Sequence, residues 1–73
     1  MEKVNITSEY ITLGQFLKFV GIIDCGSYAK QFLQENVVYV NGEQDQRRGR
    51  KIYPRDVVKV LNKIYEVDKV VAE

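Results

Sequence analysis

The stretch VVYVNGE, residues 37–43, determines how the second half of this 73-residue chain folds. Its first four residues are β-branched or aromatic, which favours a β-strand. Asn41 and Gly42 follow directly. Asn-Gly after such a run indicates a hairpin turn, because both turn residues must take positive φ. The returning strand is predicted for residues 43–46.

Two further strands are predicted downstream of this hairpin. Residues 57–61 and 64–67 are rich in Val and Ile, and a tight turn at Asn62 and Lys63 is expected to join them. Residues 53–56 are predicted to form another turn, because the proline in this segment is preset for the second turn position. The second half of the chain is therefore expected to be a small antiparallel sheet.

A first helix is predicted upstream of the hairpin. Thr12 is placed to cap its start, and Gln15, three residues later, completes a capping box. Ile11 and Phe16 occupy the two positions of a hydrophobic staple, and Gly21 is expected to end the helix in a left-handed turn. The buried face follows the i, i+3, i+4, i+7 pattern and consists of Leu13, Phe16, Leu17 and Val20.

A second helix is predicted from about Cys25 or Ser27 to Glu35, and either Asp24 or Ser27 is a suitable cap. Asn36 is expected to close this helix, since asparagine tolerates the left-handed conformation. Helical spacing gives an inward face of Cys25, Ala29, Phe32 and Leu33. On this spacing Cys25 is expected to be an inert, buried thiol.

The composition is that of one small globular domain covering residues 1–73. Hydrophobic residues make up 45% of the chain and charged residues 29%, which excludes a disordered chain. The N-terminus has no signal-peptide core, and no apolar run reaches the roughly 18 residues of a membrane span. A single cysteine forms no internal disulfide. A cytoplasmic protein without membrane contact is expected.

The residue types of an enzyme site are missing from the sequence. The chain has no histidine, hence no imidazole base and no mixed Cys/His metal site. It has no phosphate-binding or dinucleotide-binding glycine pattern, and its acidic residues show no paired spacing. The sequence therefore predicts a protein that is not an enzyme and that uses no metal, cofactor or small-molecule substrate.

The stretch QRRGRK, residues 46–51, concentrates positive charge and is called the basic segment below. It holds 4 of the 11 basic residues, leaving 7 basic residues against 10 acidic ones in the rest of the chain. Guanidinium groups present a planar fork to phosphate oxygens, and Gly49 lets the backbone approach closely. Two interpretations are open at this point, a solvated loop that only aids solubility and a surface that binds a polyanion.

Three stretches together resemble a known family: FLKFVGI, GSYAKQFLQENVVYVNGE and RRGRKIYPRDVVKV. They are similar to the S4-type RNA-binding domain, and most similar to the small stand-alone bacterial proteins of that type. The resemblance covers residues 11–61, with residues 1–10 and 68–73 as flanking segments. It implies an α+β fold in which an αα helix pair packs on a small, curved antiparallel β-sheet. It also implies a non-enzymatic protein that binds structured RNA, often ribosomal RNA.

Within this resemblance the basic segment becomes the expected phosphate-binding surface, and positions on both helices join it. Lys18 and Lys30 lie on the polar sides of their helices. Ser27 and Tyr28 open the second helix, where free N–H groups favour an anion and where Tyr28 can stack on a base. The predicted RNA-binding residues are Lys18, Ser27, Tyr28, Lys30, Arg47, Arg48, Arg50 and Lys51.

Some positions of the chain are not expected to contact RNA. Many S4-type domains carry an Arg and an acidic residue where this chain has Thr12 and Gly14. Many also carry Ser-Arg where this chain has Cys25-Gly26. Tyr39 and Tyr53 are interpreted as sheet packing rather than as stacking positions.

The sequence thus predicts a monomeric, non-enzymatic module that recognises structured RNA, either ribosomal RNA or ribosomal particles, through the basic segment and the helix pair. The alternative, from a different class, is a protein–protein adaptor whose basic segment docks an acidic partner. Salt sensitivity does not separate the two, because both depend on electrostatics. The two are separated by nuclease treatment, because only an RNA-binding module should lose its association with ribosomal particles when the RNA is digested.

Overall fold

The computed structural model describes residues 1–70 and confirms the α+β fold. No helix in this range is long and apolar enough to cross a bilayer. The elements are β1 (Glu2–Ile6), β2 (Ile11–Thr12), α1 (Leu13–Phe19), the 3₁₀ turn Gly26–Tyr28, α2 (Ala29–Glu35), β3 (Val38–Val40), β4 (Glu43–Gln44), β5 (Lys51–Ile52), β6 (Val57–Val60) and β7 (Lys63–Lys69).

The main sheet has the strand order β1-β7-β6-β3-β4. Strand β7 pairs antiparallel with β6, β6 with β3 and β3 with β4, as predicted, whereas β1 pairs parallel with β7. The sheet is therefore mixed, because the flanking residues 1–10 contribute β1. Val4 and Ile6 face the core between exposed neighbours, and this alternation is too short to identify a strand in the sequence. Of the predicted tail, residues 68–73, the last three lie outside the described residues.

The helix pair packs on one face of this sheet. Phe16 of α1 meets Tyr65 of β7 edge-on, with ring centroids 5.4 Å apart. A domain of this size has room for only one hydrophobic core, which here lies between the helix pair and the sheet. The buried apolar side chains form a single core that consists of Val4, Ile6, Leu13, Phe16, Leu17, Ile23, Ala29, Leu33, Val38, Val40, Ile52, Val58, Val60, Tyr65 and Val67.

The ends of the helices test the capping predictions. The Gln15 N–H donates to Thr12 Oγ1 at 3.2 Å, and the Thr12 N–H donates to Gln15 Oε1 at 2.9 Å, so the capping box is confirmed. Gly21 takes the expected left-handed conformation after α1, with φ 80°. Asn36 does not, since its φ is −130°. Its side-chain Nδ2 instead donates to the Phe32 carbonyl at 3.1 Å, which satisfies a carbonyl at the helix end.

The start of the second helix differs from the prediction. Cys25 is an extended N-cap with φ −143°, the 3₁₀ turn Gly26–Tyr28 follows, and the 3₁₀ turn has no side-chain cap, so neither Asp24 nor Ser27 caps it. Cys25 is exposed, so the prediction of a buried thiol is wrong. The extended backbone and the tighter turn, with about three residues per turn, rotate Cys25 away from the buried face that carries Ala29.

The hairpin turns are of the kind that requires positive φ. Asn41 and Gly42 have φ 53° and 84°, which confirms the predicted turn between β3 and β4. The turn between β6 and β7 lies at Leu61 and Asn62, with φ 52° and 63°, rather than at Asn62 and Lys63. Lys63 is instead the first residue of β7.

Candidate nucleic-acid interface

The basic segment is held against the start of α1. It leads into β5, which pairs with β2, and β2 runs directly into the helix. The Leu13 N–H donates to the Arg50 carbonyl at 2.7 Å, and the Gly14 N–H donates to the Arg48 carbonyl at 2.9 Å. A helix start leaves such N–H groups without an intrahelical partner. Here the carbonyls of the basic segment satisfy them, and the backbone of the segment is fixed in return.

Gly14 makes this close approach possible. A Cβ placed on Gly14 would lie 3.3 Å from the Cβ of Ala29, tighter than ordinary contact, and 3.4 Å from the Arg48 carbonyl oxygen, at the limit of ordinary contact. The absence of a side chain therefore lets α1, α2 and the basic segment meet at one point. Glycine at a position where S4-type domains often carry an acidic residue thus has a packing role in this chain.

Asp45 anchors the basic segment from within. The chain turns inward after Gln44, which ends β4 earlier than predicted, and Asp45 is only 7% exposed. Arg47 donates to this carboxylate from its backbone N–H, Nε and Nη2 at 2.8, 3.1 and 2.8 Å, and Arg50 Nη1 donates at 2.8 Å. These bonds, led by the Arg47 side chain, outweigh burial and hold the pKa of the Asp45 carboxyl far below its ordinary range.

The four cations of the basic segment therefore differ in their surroundings. The Arg47 side chain is 73% exposed despite its ion pair, whereas that of Arg50 is 25% exposed. Arg48 and Lys51 are exposed and form no salt bridge within residues 1–70. Arg47, Arg48 and Lys51 are consequently the side chains best placed to meet an outside anion.

The predicted helix residues are all exposed, and the two helices approach the basic segment at Gly14 and Ala29. Tyr28 and Lys30 flank Ala29, the residue that Gly14 brings next to Arg48. Lys18 lies one turn beyond Gly14 on α1.

Ser27 contacts Cys25, with 3.1 Å between Oγ and Sγ. Hydrogen bonding by Ser27 is the main reason why the pKa of the Cys25 thiol is lowered, and the Lys18 charge adds to it. Helix α1, which carries Lys18, packs against the 3₁₀ turn Gly26–Tyr28 and against α2. The basic segment and the start of the second helix therefore both contact α1.

Two exposed tyrosines beside the basic segment, and an exposed arginine in the turn after β5, were not predicted to bind RNA. Tyr53 follows β5 and is 47% exposed, so its interpretation as sheet packing is wrong. Tyr10 precedes β2 and contacts Tyr53, with ring centroids 5.6 Å apart. Arg55 occupies the predicted turn, which the Asp56 N–H closes by donating to the Tyr53 carbonyl at 3.0 Å. The turn predicted from the proline for residues 53–56 was a usable signal, since it already placed Tyr53 in a turn rather than inside a strand.

The candidate site has the chemistry that suits a polyanion. Guanidinium and ammonium groups lie next to exposed aromatic rings, which is the combination that nucleic-acid-binding proteins use. Among residues 1–70 no cluster of three or more His, Cys, Asp or Glu side chains is arranged to hold a metal ion.

Comparison with known proteins agrees with this geometry. Residues 4–68 match the S4 domain family. A curated relative from Bacillus subtilis (strain 168), "Probable ribosome maturation protein RlbA", is 54% identical over 57 residues, which cover 78% of this chain and 80% of the relative. The relative is therefore itself a small protein, and the resemblance to the small S4-type proteins is confirmed. The chain belongs to the S4 domain family.

Proposed function

We propose that this chain is a non-enzymatic RNA-binding module that docks on structured ribosomal RNA, or on a ribosomal particle, during ribosome maturation. Membership of the S4 domain family supports RNA binding. The relative named as a ribosome maturation protein supports the association with ribosomes. The protein is proposed to act as a monomer in the cytoplasm.

The observation that carries the proposal is the fixed basic segment. Asp45 binds two of its side chains, and α1 binds two of its carbonyls. A loop that served solubility alone would need neither set of bonds. A prearranged loop loses little conformational freedom on binding, so more of the phosphate attraction contributes to affinity. Arg47, Arg48, Arg50 and Lys51 are therefore proposed to meet phosphate oxygens.

The helix pair is proposed to meet the RNA beside this segment. Lys18 and Lys30 add exposed positive charges, and Ser27 and Tyr28 add a hydroxyl and an aromatic ring at the start of the second helix. Structured RNA is recognised mainly through shape, phosphates and 2′-hydroxyl groups, which suits a charged surface of fixed geometry.

Sedimentation of the tagged chain with ribosomal particles tests this function. We expect the chain to co-sediment with a ribosomal particle from cell extract and to be released by ribonuclease. The variant Arg48→Gln/Lys51→Gln should co-sediment less, while Lys59→Gln/Lys63→Gln, which removes the same charge from the strands β6 and β7, should behave as the parent. Ribonuclease-resistant association with one acidic protein would instead favour the adaptor function.

A further inference from the structure

An exposed aromatic pair lies beside the basic segment. The ring planes of Tyr10 and Tyr53 are tilted by 47°, with centroids 5.6 Å apart. Lys51 Nζ lies 4.9 Å from the centroid of the Tyr10 ring, a cation–π distance. Lys51 and Tyr10 thus brace each other, while Tyr53 keeps 47% of its surface accessible.

The position of Tyr53 is fixed by its backbone. Its N–H donates to Asp56 Oδ2 at 2.8 Å, and its carbonyl accepts from the Asp56 N–H at 3.0 Å. Asn41 Nδ2 donates to Asp56 Oδ1 at 3.0 Å, which ties this turn to the β3–β4 hairpin. An accessible ring held in this way can stack on a flat partner with little loss of conformational freedom.

The ring borders the same open depression as the cations. Its lining includes Arg47, Arg50 and Lys51 together with Tyr53. A nucleotide carries a flat base and a charged phosphate a few ångströms apart. An aromatic ring next to guanidinium and ammonium groups matches both parts, and every base has a face on which such a ring can stack.

We infer that Tyr53, braced by Tyr10 and Lys51, stacks on an unpaired RNA base whose phosphate is bound by the adjoining cations of the basic segment. This inference rests on the proposed RNA-binding function and specifies its ligand. A base inside a duplex is already stacked on its neighbours, so the site selects RNA with a bulge, a loop or a free end. The basic segment supplies affinity for any RNA, and Tyr53 supplies the preference for unpaired nucleotides.

The test compares two RNAs by fluorescence anisotropy. One is a duplex of about 16 base pairs, the span that a double-stranded RNA-binding domain covers, and the other is the same duplex with a bulge of unpaired adenosines. We expect the parent to prefer the bulged RNA. Tyr53→Leu should weaken binding of the bulged RNA about 5- to 150-fold, the range for loss of one stacked base, and leave binding of the duplex unchanged. Tyr53→Phe should keep the preference, because it retains the ring.

Tyr39→Leu is the matched control, since Tyr39 is an exposed tyrosine on strand β3, 38% exposed. It should bind both RNAs as the parent does, and circular dichroism checks that each variant is folded. If the parent prefers neither RNA, or if Tyr53→Leu keeps the preference, the stacking inference is overturned while RNA binding stands. If the parent binds no RNA at all, the proposed function is overturned as well.

Discussion

Asp45 holds the guanidinium of Arg47 through two parallel hydrogen bonds, from Nε to Oδ1 at 3.1 Å and from Nη2 to Oδ2 at 2.8 Å. The carboxylate is buried and the guanidinium is mostly exposed. Such a bidentate pair fixes orientation as well as charge. Arg47 therefore directs its remaining donors outward from a fixed position, and Asp45 acts as the internal support of the basic segment.

Replacement of Asp45 by Asn should destabilise the protein in a pH-dependent way. The folded-state pKa of this carboxyl lies below its unfolded value of about 3.9, so the stabilisation is complete above about pH 5 and is lost as pH falls. At neutral pH we expect Asp45→Asn to lose about 2 kcal/mol of unfolding free energy, the scale of charge-assisted hydrogen bonds. Urea denaturation should show this difference shrinking steadily below about pH 4.

The control for this prediction is Asp24→Asn. Asp24 is exposed, and surface substitutions of this kind change stability by less than about 0.5 kcal/mol. A constant difference between the parent and Asp45→Asn at all pH values would show that the charge of Asp45 is not the cause.

The salt dependence of RNA binding should show whether Arg48 and Lys51 contact phosphates. Changing Arg47 or Arg50 to Gln would remove one of the two guanidinium partners of the buried Asp45 carboxylate, so those changes would affect folding as well as binding. Arg48→Gln/Lys51→Gln avoids this problem. If both side chains meet phosphates, the slope of log K against log salt should flatten by about 1.4 to 1.8, at roughly 0.7 to 0.9 per contact. An unchanged slope would remove these two residues from the interface.

The β6–β7 turn shows which features of the fold the sequence could and could not predict. Moving the turn from Asn62 and Lys63, as predicted, to Leu61 and Asn62, as observed, shifts the pairing of β6 with β7 by two residues. Both registers keep the valines and the tyrosine of these strands on the core face, so the two-residue pattern does not distinguish them. The capping box and the Asn-Gly turn were predictable because each depends on residues adjacent in sequence.

The candidate site was predictable in charge but not in structure. The cluster of cations is visible in the sequence, whereas the burial of Asp45 and the contact between Tyr10 and Tyr53 are not. Tyr10 and Tyr53 are 43 positions apart in the chain. They meet only because β2 pairs with β5, and these two-residue strands carry no periodicity that a sequence pattern can detect.

Gly14→Val should destabilise the protein and displace the basic segment. A side chain at Gly14 would press on Ala29 and on the Arg48 carbonyl. Overpacking of this kind costs about 1 to 3 kcal/mol. Gly26→Val is the matched control, because a Cβ at Gly26 meets no atom within 4 Å. Thermal unfolding of the two variants provides the measurement, and equal melting temperatures would contradict the packing role of Gly14.

Cys25 should react readily in the folded protein. It is exposed, and hydrogen bonding by Ser27 lowers the pKa of its thiol, which increases the thiolate fraction at neutral pH. We expect iodoacetamide to label the native chain without prior unfolding, and Ser27→Ala to slow labelling near pH 7 but not at strongly alkaline pH. If labelling requires denaturant, the Cys25 thiol is buried and this prediction is wrong.

Replacement of Arg55 by Gly should relieve backbone strain and weaken RNA binding. Its φ is 78° and that of Leu61 is 52°, a region that favours glycine. Relief of this strain offsets the greater freedom of glycine in the unfolded chain, so Arg55→Gly and Leu61→Gly should each raise the unfolding free energy by up to about 1 kcal/mol. Only Arg55→Gly should weaken RNA binding, because Arg55 lies in the turn that carries Tyr53 while Leu61 lies at the far end of the β6–β7 hairpin. Loss of this cation should flatten the salt slope by about 0.7 to 0.9, and the slope of Leu61→Gly should equal that of the parent. If the two variants bind RNA equally well, Arg55 lies outside the interface and the strain at Arg55 has no part in binding.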